Sequence, residues 1–256
     1  MIVRFLGTHN AESKNTRLAS ILIDDKLALD AGNLTTELSF PEQEKIKAIL
    51  LTHGHYDHIR CVPAFAFNNA CEKTKIYGLP QTLEILSTHL VDGLIYPNFS
   101  LNNPICETQS LEYIEIDFYK PFEVEGYQVI AVPVKHTLAA AGYEITSKDG
   151  KRVFYSGDTG KGISDIWNHI SPDLVLIEVT FPNKMEIVAK NSVHLCPKYL
   201  HTELKQLHQI KGAIPKIVIL HMTPKYEKEI KKEVKEIAKE LNITIDFANE
   251  GDKITV

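Results

Sequence analysis

The stretch from Ile49 to Pro63, ILLTHGHYDHIRCVP, sets His53, His55, Asp57 and His58 within six positions. The run that leads into it, IKAILLT, is apolar almost throughout, as expected of a strand covered on both faces. A strand end is a rigid platform whose next few side chains are free of the hydrogen-bonded ladder. Imidazole and carboxylate are the ordinary ligands of zinc and its first-row neighbours. In extended backbone, residues two apart point the same way, so His53 and His55 are expected to face one ion together. Where the chain then turns into a helix, Asp57 and His58 are expected to swing toward a second.

Each ion needs further ligands, and three candidates stand directly after other apolar runs. His136 ends VIAVPVKH, Asp158 follows VFYSG, and His221 follows KIVIL. A lone histidine or loop aspartate is more often structural than ligating. Three at matching strand ends behind an H-x-H-x-D-H cluster are read differently. The expected assignment is His53, His55 and His136 on one metal, and Asp57, His58 and His221 on the other. Asp158, with two oxygens, would stand between them. A water or hydroxide held by both ions is the nucleophile of a two-metal hydrolase.

The rest of the chain limits the alternatives. Its 256 residues are 44% hydrophobic and 24% charged, the composition of a soluble globular protein. No repeat, low-complexity tract or linker interrupts it, so residues 1–256 read as one domain. The net charge of -5 offers no overall basic footprint for nucleic acid, which argues against a large RNA or DNA substrate. The N-terminus has no long apolar signal segment and no run has the length of a membrane span. A cytoplasmic location is therefore expected. Cys61, Cys71, Cys106 and Cys196 are scattered, form no CxxC, and read as free buried thiols. Short strands come first in each half, with helices between the later ones. Amphipathic helices are expected over CPKYLHTELKQLHQI and PKYEKEIKKEVKEIAKELN. This order suggests an α/β fold with two mixed sheets packed face to face and helices outside.

The sequence resembles the metallo-β-lactamase superfamily. The motifs that carry the likeness are THGHYDH, then His136, SGDTG and LHM in this order, preceded by FLGTHN and SILIDDKLALDAG. The resemblance covers essentially the full chain and implies a four-layer αβ/βα sandwich with two Zn2+, or Mn2+, at the upper edge of its sheets. It places Asp30 at the family's aspartate behind the ligands. His55, where flavodiiron members carry an acidic residue, favours a zinc hydrolase. The Asp158 and His221 pair, with His194 between the last two motifs, is similar to the phosphodiesterase side of the superfamily. That side includes ribonuclease Z and the class II cyclic-nucleotide phosphodiesterases.

Within that side, LPQTLEILSTHLVDGLIYPNF and HLCPKYLHTEL look like the cyclic-nucleotide branch. Only 21 residues separate His136 from Asp158, where ribonuclease Z inserts a long arm that grips tRNA. The expected reaction is hydrolysis of a 3′,5′-cyclic nucleotide to a 5′-mononucleotide, with a small substrate and a homodimer implied by the family. Asp57 would orient the nucleophile or take its proton, and His194 would stabilise developing charge or protonate the leaving oxygen. Asp30 and Glu178 are candidates to fix ligand tautomers, and Glu178 either orients His194 or makes a structural hydrogen bond. Thr137 and Thr159 contact phosphate or cap turns. Tyr96 and Phe99 stack on a base or belong to the core. The competing readings are a ribonuclease Z-like nuclease that trims tRNA 3′ ends, a small-ester or lactone hydrolase, and a catalytically silent nucleotide-binding protein.

Overall fold

The computed structural model describes residues 1–101, 106 and 108–256. The first half of the chain supplies β1 (Ile2–Gly7), β2 (Ser20–Ile23), β3 (Leu27–Leu29), β4 (Ala48–Leu50), β5 (Thr74–Gly78) and β6 (Leu111–Glu115). The second half supplies β7 (Phe122–Val124), β8 (Tyr127–Pro133), β9 (Ala141–Thr146), β10 (Arg152–Tyr155), β11 (Leu174–Glu178), β12 (Lys216–Leu220) and β13 (Ile245–Phe247). The last strand, β14 (Lys253–Thr255), returns to pair antiparallel with β1. Two seven-stranded sheets result, in the orders β14-β1-β2-β3-β4-β5-β6 and β13-β12-β11-β10-β9-β8-β7.

Side-chain alternation along the strands explains the layering. Ala48 and Leu50 of β4 join the core between the two sheets, and Ile49 points instead at helices outside the first sheet. In β11, Leu174 and Leu176 face the inner core, whereas Val175 and Ile177 face helices outside the second sheet. Such strands are buried on both faces, which is why they read as unbroken apolar runs. Each fully buried Leu or Ile contributes about 1.5–3 kcal/mol by leaving water. The result is the four-layer αβ/βα sandwich expected from the sequence.

The outer helices follow the predicted stripes. Pro197–Lys211 buries Leu200, Leu204 and Leu207, and Glu227–Leu241 buries Ile230, Val234 and Ile237, all against the second sheet. Pro197 opens its helix where no amide donor is needed, and Gly212 closes it at φ +76°. The helix Glu186–Ser192 had no counterpart in the sequence reading. No helix among the described residues is long and apolar enough to cross a membrane.

One expectation is overturned here. Cys71 and Cys106 form a disulfide, and only Cys61 and Cys196 are free and buried. Cys71 lies just before β5 and Cys106 before β6. These strands run parallel and adjacent, which brings the two entry loops together with Cα atoms 5.4 Å apart. A separation of 35 residues gives no hint of that proximity.

Strand direction positions the site. The strand pairs β3–β4, β4–β5, β10–β11 and β11–β12 are parallel, so their C-terminal ends share one edge of each sheet. Both β8 and β10 run antiparallel to β9, so β8 ends at the same edge as β10. That edge is where open α/β sheets place their ligands.

Candidate metal centre

Asp30 follows β3, Thr52 and His53 follow β4, His136 follows β8, Asp158 follows β10, and His221 follows β12. His55 caps the short helix Tyr56–Ile59, which carries Asp57 and His58 on its first turn. The turn after β10 needs Gly157. Its φ is +56°, and a Cβ there would come within 2.7 Å of Thr52.

Two four-donor groups result, and Glu178, His194 and His221 form a third group of three. His53, His55, His136 and Asp158 each offer one ligand atom within 4.8 Å of the others, and so do Asp57, His58, Asp158 and His221. Asp158 is common to both and divides its oxygens. Oδ2 lies 3.7 Å from His53 Nε2 and 3.9 Å from His136 Nε2. Oδ1 lies 3.3 Å from His58 Nε2 and 3.2 Å from His221 Nε2. Asp57 Oδ2 stands 3.6 Å from His58 Nε2 and 3.4 Å from His221 Nε2.

Two hydrogen-bond relays fix the imidazoles. In the first, His53 Nδ1 donates to Thr52 Oγ1 (3.0 Å), and that hydroxyl donates to Asp30 Oδ2 (2.9 Å). Asp30 Oδ2 also accepts from His58 Nδ1 (2.7 Å) and from the Tyr155 hydroxyl (2.8 Å). In the second, His221 Nδ1 donates to Thr180 Oγ1 (2.9 Å), which donates to Glu178 Oε2 (2.6 Å). Glu178 Oε1 accepts from His194 Nδ1 (2.7 Å) and from the Thr159 amide (2.7 Å). Each sheet thus contributes one fully buried acid that serves one histidine directly and another through a threonine. His136 Nδ1 donates to the Val193 carbonyl (3.1 Å). The tautomers that satisfy these bonds leave Nε2 of His53, His58, His136 and His221 as lone pairs aimed inward.

This donor set fits metal ions. His53 Nε2 and His136 Nε2 converge on His55 Nδ1 at 2.9 and 3.0 Å, and one nitrogen cannot donate to both. His58 Nε2 and Asp158 Oδ1 are buried without any hydrogen-bond partner. Such orphaned atoms are costly unless a cation satisfies them. The protonation states divide. Burial opposes the charge on His58, but the Asp158, Asp30 and Asp57 carboxylates outweigh it and raise this imidazole well above its usual range, so an ion there would displace its proton. Burial and repulsion from His58 hold His53 well below the usual imidazole range, and burial lowers His55 and His136. Burial opposes the charge on Asp57 and Asp158, but neighbouring histidines outweigh it and keep both carboxylates ionised.

Three strained backbones support the arrangement. Asp30, Val193 and His221 have φ of +57°, +56° and +62°. For β-branched Val193 this conformation is a genuine outlier, and it persists where surrounding contacts over-determine it. The Val193 carbonyl then orients His136, and the next residue is His194. The His221 amide is pinned by the Thr8 carbonyl at 2.5 Å.

His194 is half-buried, its ring stacked 5.6 Å from His221 and edge-on 5.0 Å from His136. Burial pushes its imidazole down, but the Glu178 carboxylate prevails and raises it to about 9. The other expected contacts divide. Thr137 is exposed beside His136. Thr159 is fully buried, and its hydroxyl is spent on the Gly160 carbonyl and the Lys135 amide, so it caps this turn. Phe99 is 5% exposed within the outer core of the first sheet and cannot stack on a base; Tyr96 packs against the same core. Thr52, Tyr155, Thr180 and Val193 were missed from sequence. The spacing Glu178-x-Thr180 in an extended segment was the available signal for one of them. Thr180→Val is expected to lower metal affinity about 10–100-fold by freeing His221, as measured by metal-buffer titration against the parent chain.

The chain matches the beta-lactamase superfamily domain family over residues 21–238. Ribonuclease Z of Leuconostoc mesenteroides is 28% identical over 58% of this chain and 49% of its own length. The chain thus spans about half the length of the curated relatives it first matches. Among solved structures, unliganded yeast PDE1 superposes with a TM-score of 0.84 at 16% identity, covering 100% of this chain and 99% of that one. The short form of human tRNase Z superposes with a TM-score of 0.70 at 18% identity, covering 100% and 99%. At these identities the structural likeness speaks to the fold alone.

Proposed function

The chain belongs to the beta-lactamase superfamily, and on that premise we propose that it is a two-metal phosphodiesterase that hydrolyses 3′,5′-cyclic nucleotides to 5′-mononucleotides. The observation that carries this reading is the His194–Glu178 pair beside two four-donor groups that share Asp158. His53, His55, His136 and Asp158 would hold one ion, and Asp57, His58, Asp158 and His221 the other. Zinc suits five imidazoles better than magnesium or calcium would, with manganese the alternative. Bound there, the ions would supply Lewis-acid charge to the phosphate and lower the pKa of a nearby water.

The chain's own residues do the rest. Asp57 is the accessible carboxylate of its group, its side chain 26% exposed, and is placed to take a proton from the attacking water. His194 stands beside the cluster with its proton at Nδ1 committed to Glu178. That carboxylate stabilises the cationic ring, which can neutralise charge on phosphate or protonate the departing 3′ oxygen. The connection from His136 to Asp158 is filled by β9, a five-residue turn and β10, which leaves no long arm there and supports a small substrate. Exposed Leu94 and Ile95, at 91% and 70%, support a homodimer, and a cytoplasmic location belongs to the same reading. The second reading, a ribonuclease Z-like nuclease, is favoured by the names of the curated relatives and shares this chemistry.

His194→Ala is expected to lower kcat by about two orders of magnitude or more, the usual size of an acid–base contribution. Metal content should stay at the parent value, because His194 lies outside both four-donor groups. Steady-state turnover with elemental analysis checks this; parent-like turnover would remove His194 from the mechanism.

A further inference from the structure

Lys135, Lys161 and Lys190 line a cavity of about 250 Å3 whose walls also include Gly160, Val193 and His194. The cavity is built from the flanks of the proposed centre: Lys135 precedes His136, and Gly160 follows Asp158 by two positions. The Gly160 amide donates to the Lys135 carbonyl at 2.6 Å, and the Lys135 amide to Thr159 Oγ1 at 3.2 Å, so the two loops are tied to each other beside the donors. A Cβ on Gly160 would meet Val193 at 2.7 Å, so glycine lets the two walls close on each other.

No carboxylate among the described residues lies within 4.0 Å of the three lysine ammonium groups. The Lys161 ammonium sits over the Tyr199 ring at 4.7 Å. Glu186 is within electrostatic reach of Lys161, but both its oxygens are held by Lys198 at 2.9 Å. The buried Glu203 carboxylate is also within electrostatic reach of Lys161, but its oxygens accept from the Gly162 and Ile163 amides. Like charges gathered round a small concavity raise its potential and favour an anion there. Lysine binds phosphate as a point charge, and His194 on the cavity wall also packs against the His136 and His221 rings of the donor groups.

We propose that this cavity is a subsite for a second phosphate. The favoured substrate is then a short nucleotide phosphodiester with one more phosphate beside the scissile one, such as a 5′-phosphorylated dinucleotide, ahead of a cyclic mononucleotide. This inference rests on the two-metal phosphodiesterase reading and moves its favoured substrate from the cyclic mononucleotide to a phosphorylated linear phosphodiester.

The test is equilibrium binding of adenosine 3′,5′-bisphosphate and of AMP to the metal-loaded protein, by calorimetry at several salt concentrations. The bisphosphate is expected to bind about tenfold or more tightly than AMP. That preference should vanish in the Lys135→Gln, Lys161→Gln, Lys190→Gln triple variant and return in the triple Arg variant, and added salt should weaken it in the parent chain. Each single Gln variant should show part of the loss. Turnover read alongside should show kcat/KM for the phosphorylated dinucleotide falling more than that for cyclic AMP. A parent chain without preference, or a preference that survives in the triple Gln variant, would overturn the subsite. A preference that depends on the lysines, with no phosphodiester turned over, would uphold the subsite and overturn the phosphodiesterase reading instead.

Discussion

Asp158→Ala is expected to abolish measurable turnover and to leave the chain unable to keep either ion through dialysis. No other residue among the described ones belongs to both four-donor groups with one carboxylate oxygen in each. Its removal takes one of four donors from both groups and deletes the carboxylate closest to Nε2 of His58 and of His221. Metal-borne stabilisation of transition-state charge is worth several kcal/mol, so the loss should be about a thousandfold or more. Asp158→Asn should fail similarly, because it keeps the shape of the side chain but not its charge. Elemental analysis after dialysis, beside the turnover rate, reads both effects. Parent-like metal content in Asp158→Ala would mean that the two groups do not share this residue.

Asp57→Ala separates ligation from proton transfer. Asp57 belongs only to the second group, so the first keeps all four donors and should keep its ion. Turnover should again fall about a thousandfold or more, with the fold intact, because the side chain is partly exposed and no core packing is lost. Excess metal then divides its two roles. If Asp57 only holds the ion, saturating metal restores the rate. If it also takes the proton from water, the ion returns and the rate does not, which is the result expected here.

The clustering of the candidate metal donors was legible because chemistry and strand ends coincide in the sequence. His53, His55, Asp57 and His58 follow one buried run, and His136, Asp158 and His221 follow others, so strand direction carries them to one edge, His136 through the antiparallel pairing of β8 and β10 with β9. The alternation of Leu174, Val175, Leu176 and Ile177 likewise needs only the two-residue period of a strand between two cores. The groups behind the ligands were less legible. Thr52 and Thr180 look like ordinary strand-end residues until Asp30 and Glu178 stand beneath them. Val193 inverts the usual rule, since a β-branched residue is the last one expected at positive φ. Its carbonyl orients His136 from 57 positions away. Phe99 was offered both to a base and to the core, and composition alone could not separate the two. Net charge does not report local patches. A chain at -5 still gathers Lys135, Lys161 and Lys190 round one cavity beside the proposed centre.

The most direct measurement is product release by the metal-loaded chain from 3′,5′-cyclic AMP, GMP, CMP and UMP, from a phosphorylated dinucleotide and from a tRNA precursor with a 3′ trailer. Each is assayed with and without a chelator, and with the bound metal counted in the same sample. The account predicts cleavage of nucleotide phosphodiesters to 5′-mononucleotides, lost with the chelator and restored by zinc or manganese, at two ions per chain. Trimming of the precursor alone would transfer the substrate to the nuclease reading and leave the two-metal chemistry standing. Two bound ions per chain with every phosphodiester left intact would contradict the account at its centre.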